Sequence, residues 1–167
     1  DELPLTHTIA YTLRGLLESS HYLEGDLKQQ VRGLVISNSE RIFLKYEKRK
    51  RHPNASPEYL AGRFNAKWQS AASFSCLTGN AQIAIIWLKV YRINSDARLL
   101  NAALKILDQL KEVQDISSSN RGIRGGIPGS FPIWGDYMPW SYPNWATKFF
   151  ADALILQEEL MKPLEQR

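Results

Sequence analysis

A chain of 167 residues is long enough to bury one real core, and at 44% hydrophobic and 23% charged it has the composition of an ordinary globular domain. Its formal net charge of +4 gathers largely in one run, Lys45 to Arg51, which reads as a solvated helix end or as a contact for an anionic surface or polymer. No apolar run reaches the eighteen or so residues needed to span a bilayer, and a single cysteine, Cys76, excludes an internal disulfide and a multi-cysteine zinc site.

The first predicted helix runs from about Thr6 to Ser20. Pro4 precedes it, Thr6 is placed to cap it, and Ile9, Leu13, Leu16 and Leu17 form its apolar stripe. Gly15 inside it costs about 1 kcal/mol relative to alanine, which suggests a close helix contact there. Gly25 and Asp26 open a second helix, with Asp26 and Gln29 spaced as in a capping box. Leu27, Val31, Leu34, Val35, Ile42, Phe43 and Tyr46 keep a helical period along it, and Pro53 and Pro57 stop it. A connector follows from about His52 to Ser73, part of it predicted as a short helix. With Arg63, Phe64, Asn65, Lys67, Trp68 and Gln69 it reads as an excursion over a surface or cleft. It also carries a glycosylation sequon at Asn54.

The third helix, from about Cys76 to Ile93, is apolar nearly all round and so is expected to be buried. A fourth begins at Ser95 and Asp96 and presents one broad apolar face. A fifth runs from about Asn144 to Met161, with Pro163 ending it. No segment alternates convincingly as a strand, so the predicted fold class is all-α, helix packed on helix. Leu5-Thr6 and Ile9-Ala10 in the first helix are echoed by Leu77-Thr78 and Ile83-Ala84 in the third. The repeating unit is a buried helix, a more amphipathic partner and a long connector, and such units stack to share a core.

Between the fourth and fifth helices lies the stretch RGIRGGIPGSFPIWGDYMPWSYPNWATKFF, starting at Arg121. It holds eight of the chain's eighteen aromatics. Glycine and proline prevent regular structure up to Asn144, and so much aromatic surface requires the loop to fold back and pack. It then serves either as a cover over the helical core or as the wall of a ligand cleft.

The pattern resembles the α/α toroids, the class of terpenoid cyclases, protein prenyltransferases, lanthionine cyclases and six-hairpin carbohydrate enzymes. HTIAYTLRGLLE, SCLTGNAQIAIIWLKVYRI and GGIPGSFPIWGDYMPWSYPNWATKFFADAL are together similar to a bacterial family associated with exopolysaccharide biosynthesis, over roughly half of the chain. The resemblance implies an array of α/α hairpins, part of a toroid that five helices do not close. This single all-α domain would then be the C-terminal part of a longer protein, and either a missing N-terminal half or a second copy would complete it. The resemblance also implies that loops before inner helices share one mouth. His7, Asn80, Gln82, Asn144, Trp145 and Lys148 would gather there, with Arg63, Trp68, Asp136 and Tyr137 above them.

On this reading the chain binds or processes an oligosaccharide, neutral or anionic. Sugars would stack on Trp134, Trp140 and Trp145. Asn80, Gln82 and Asn144 would hold hydroxyls, and Lys148, Arg63, Arg121 and Arg124 suit a carboxylated sugar. His7 and Asp136 are the candidates for proton transfer, in a hydrolase, lyase or epimerase. A carboxylate set among aromatics has a raised pKa, but Asp136 also reads as a turn residue beside Gly135. A glycosidase needs two carboxylates, and neither Glu58 nor Asp115 is placed as the second. Cys76 lacks an evident histidine partner and reads as a buried thiol. No metal or cofactor is expected. The glycines after Arg121 lack phosphate-loop spacing, and aspartate-rich cyclase motifs are absent. The basic run has no interleaved aromatics, so nucleic acid is not an expected partner. One thiol and no visible secretory signal fit a cytoplasmic location. The alternative is a non-catalytic helical scaffold whose open edge binds another chain.

Overall fold

Helix α3 (Leu77–Asn94) is the hub, because its sequence carries charge only at Lys89 and Arg92 and buries residues on every side. Helices α1 (Thr6–Ser19), α4 (Ala97–Val113) and α5 (Asn144–Met161) pack on it, and α2 (Gly25–Lys50) touches it as well. Helix α2 also packs on α1, and α4 on α5. The result is two layers, with α1, α3 and α5 in one and α2 and α4 in the other. The chain is all-α as expected. Among the described residues the one sheet is a minimal antiparallel pair, β1 (Ser75–Cys76) with β2 (Ser130–Phe131), in which Ser75 faces Phe131 and Cys76 faces Ser130. The computed structural model describes residues 3–50 and 59–162. The sequon at Asn54, His52, Glu58, Arg51, and Pro53, Pro57 and Pro163 lie outside the described residues. Among the described residues no helix is long and apolar enough to cross a membrane.

Several local expectations are corrected. Thr6 does not cap α1. It is fully buried, and its hydroxyl donates to the Ala61 carbonyl, which ties the connector to the start of the helix. Gly15 marks no contact, since a Cβ built there would meet nothing within 4 Å. Helix α2 begins at Gly25, so Asp26 sits inside its first turn, where a negative charge favours the dipole rather than closing a box. The apolar residues of α2 divide. Val35, Ile42, Phe43 and Tyr46 are buried, while Leu27, Leu34 and Leu44 are about half exposed, at 54, 48 and 54%. The described part of the connector forms no helix; it is bridged instead by the pairs Leu5–Arg63 and Phe64–Ser70.

Close backbone approach positions the site. A Cβ on Gly79 would lie 2.7 Å from the His7 nitrogen, so the absence of a side chain lets the starts of α1 and α3 meet side by side. The aromatic loop does fold back. Leu77 N–H donates to the Gly129 carbonyl at 3.0 Å and Gly129 N–H to the Ser141 carbonyl at 2.9 Å. A Cβ on Gly135 would press to 2.6 Å from Phe74. Trp87, with no exposed surface, fills the core against Phe43 and Tyr46 and donates its indole N–H to the Ser39 carbonyl at 3.2 Å.

Candidate functional site

Because the starts of α1 and α3 meet and the loop folds over them, His7, Cys76, Arg63, Asp136, Tyr137 and Trp145 form one connected cluster. The His7 ring packs on Tyr137 with centroids 4.7 Å apart and meets the edge of Tyr11 at 6.0 Å. The Trp145 indole N–H donates to the Tyr137 phenol oxygen at 2.8 Å. Arg63 donates to the Leu3 carbonyl at 2.9 Å and to the Asp136 carboxylate at 3.4 Å. His7 is held below its ordinary pKa, first by burial and then by the Arg63 charge, and so is neutral at pH 7. Burial likewise raises the pKa of the Tyr137 phenol.

Asp136 departs from its expected setting. It is not packed among the aromatics; its side chain is 76% exposed and faces Arg63. It is therefore a surface partner of a guanidinium.

Trp134 and Trp140, from the same loop, stand outside the cluster. They are 63 and 70% exposed, with ring centroids 6.0 Å apart and planes inclined by 36°. The backbone beneath them is fixed. Ser130 Oγ donates to the Tyr137 carbonyl at 2.6 Å and accepts from Tyr137 N–H at 3.2 Å, and Trp140 N–H donates to the Ile133 carbonyl at 2.8 Å. Met138 and Trp140 sit at φ of 52° and 56°, left-handed values that cost bulky residues about 1–3 kcal/mol and persist where the surroundings enforce them.

The two buried amides are corrected as sugar ligands. Asn80 is fully buried and committed: it accepts from Leu60 N–H at 3.3 Å and donates to Ser75 Oγ at 2.7 Å and the Cys76 carbonyl at 2.8 Å. It locks the connector to the start of α3 and offers a ligand nothing. Gln82 is also fully buried, yet among the described residues neither of its amide atoms has a hydrogen-bond partner. One turn earlier, the Thr78 hydroxyl stands beside the Tyr137 phenol without a well-formed bond. Further along that face, Lys89 bonds Glu18 of α1, and Ile85 lines a small cleft with Arg14 of α1 and Asp152 of α5. Gln82 therefore lies along the seam where α1 and α5 converge on α3.

The remaining expected residues lie apart. Asn144 and Lys148 line a separate shallow cleft with Arg124 and Tyr142; Lys148 pairs with Asp152 at 2.5 Å and covers the Phe149 ring at 4.7 Å. Trp68, at φ 58°, packs on Phe64 and lines an apolar groove of about 520 Å³ between α1 and α2, with Ile9, Leu13, Leu16 and Leu34. Among the described residues, no group of three or more His, Cys, Asp or Glu side chains is placed to hold a metal.

Two members of the cluster escaped sequence reasoning. Tyr11 lies one helical turn from His7, a spacing that was legible. Cys76 does have a histidine beside it, with His7 Nδ1 3.6 Å from its sulfur. The echo of Leu5-Thr6 in Leu77-Thr78 was the available signal, since matched helix starts lie side by side. The thiol is fully buried and its pKa is pushed up to about 12, so it is no nucleophile. No protein-family model matches this chain, and no curated protein matches it.

Proposed function

We propose that this chain binds an oligosaccharide across its aromatic loop, with Trp134 and Trp140 as the stacking platform. The observation that carries the reading is the pair itself: two indoles, each more than 60% exposed, on a backbone held in place by hydrogen bonds and close glycine contacts. Exposing so much apolar ring to water is unfavourable, and a cluster of such rings marks a binding surface. Sugar rings present C–H faces that stack on indoles, and their hydroxyls suit nearby polar groups. His7, Arg63 and Tyr137, which belong to the cluster beside this loop, supply such groups, and Arg63 favours an anionic sugar. Binding is better supported than turnover, because Asp136 is exposed and its partner is a guanidinium. An exopolysaccharide substrate, as the resemblance implies, is the expected class.

The test is tryptophan fluorescence during titration with neutral and uronate-containing oligosaccharides, with product analysis on the same samples. Saturable quenching that is lost in both Trp134→Ala and Trp140→Ala is expected. Saturation unchanged in those variants, or no response to any sugar, would remove the platform reading. A second reading, a scaffold that associates through an open apolar face, draws on the groove beside Trp68 and on exposed Leu27, Leu34 and Leu44.

A further inference from the structure

We propose that Cys76 is a positioning residue that fixes the tautomer of His7, so that the ring presents Nε2–H to the mouth of the site and takes an acceptor oxygen there. Backbone N–H groups of His7, Thr78 and Gly79 already point at the sulfur, from the first turns of two helices whose starts meet at Gly79. The sulfur is thus supplied with donors. If it also accepted from Nδ1–H, its own proton would be left buried with no other acceptor among the described residues. The thiol proton therefore donates to Nδ1, which lies 3.6 Å away. A neutral imidazole carries one proton, and with Nδ1 acting as acceptor that proton is on Nε2.

The charge state agrees with this assignment. The charged alternative, a thiolate facing an imidazolium, is disfavoured on both partners, since burial raises the thiol and lowers the histidine. The groups facing the ring are Arg63, which opposes a positive imidazole, Asp136 reached only through Arg63, and the rings of Tyr11 and Tyr137. Nε2 has no protein partner among the described residues, and His7 is only half-buried, so this nitrogen is left for solvent or ligand.

The consequence concerns role. At neutral pH, His7 is a hydrogen-bond donor rather than a ready general base. The matching ligand atom is a hydroxyl or carboxylate oxygen, which deepens the sugar-binding reading and, as to the ligand, rests on it. The tautomer itself is measured without ligand, so the two can fail separately.

The experiment is long-range ¹H–¹⁵N correlation of the imidazole nitrogens in the intact protein at neutral pH, with Raman spectra of the S–H stretch. The chain has one cysteine, so any S–H band belongs to Cys76. Expected are a bare Nδ1, a protonated Nε2 and one S–H band shifted as in a strongly bonded thiol. Cys76→Ala should give a mixture of His7 tautomers, and Cys76→Ser, which keeps a donor, should restore the single one. If neither variant folds, the wild-type spectra alone decide. A protonated Nδ1, an imidazolium at neutral pH, or a missing S–H band overturns the proposal. Titration with a uronic-acid oligosaccharide should then shift the Nε2 resonance while it keeps its proton. An unmoved ring beside an intact tautomer would uphold the positioning role and count against the sugar site.

Discussion

The amides of α3 show how one residue type takes opposite roles. Asn80 meets three partners and closes the junction of connector, β1 and α3. Gln82, a half-turn on, has none among the described residues. An unsatisfied buried amide costs about 1–3 kcal/mol, so an apolar replacement of similar shape should help. Gln82→Met is expected to raise the unfolding free energy by about 1 kcal/mol in urea denaturation; a loss instead would show that the amide has a water partner. His7 gives the pH behaviour. Its folded pKa lies below its unfolded value near 6.5, so the unfolded chain takes up the proton first. The stability from keeping His7 neutral is complete above that unfolded value and is lost as pH falls through it toward the folded one. Denaturant midpoints measured between pH 7.5 and 5 should fall in the wild type, and fall less in His7→Gln.

At the scale of elements, propensity and packing are separable in α1. The glycine at position 15 is exposed and its Cβ position is open, so only helix propensity acts there. Gly15→Ala should stabilise by about 1 kcal/mol, read from the urea midpoint. Gly79 is the opposite case. A methyl group there collides with the backbone at His7 and would part α1 from α3. Both glycines lie in helical sequence, and nothing in their own neighbourhood of the chain separates the two roles. The loop from Arg121 follows the same division. Its glycines and prolines announced irregular backbone, and its aromatics announced packing. Which aromatics turned inward and which outward was decided by contacts such as Ser130 with Tyr137 and Gly135 with Phe74.

For the whole molecule, the balance of covered and open apolar surface sets the expectation. The groove of about 520 Å³ between α1 and α2 is mostly apolar in its lining residues, and Leu27, Leu34 and Leu44 add exposed surface along α2. Such a face favours contact with another apolar surface. Sedimentation velocity across a concentration series is expected to show reversible self-association, with binding of an apolar dye that falls as association rises. A monomer at every concentration with no dye binding would refute this.

The sequence by itself determined the five helices, their all-α class and the burial of α3, because these depend on local periodicity and composition, which are written along the chain. It also marked His7, Arg63, Tyr137 and Trp145 as candidates. The tertiary structure alone decided that Asn80 is structural, that Asp136 is exposed, and that Cys76 faces His7. Those facts depend on which residues distant in sequence come within a few ångströms of one another. That is set by how the helix starts dock and how the loop closes over them; the echo of Leu5-Thr6 in Leu77-Thr78 points to the first, but no local spacing fixes the contacts themselves.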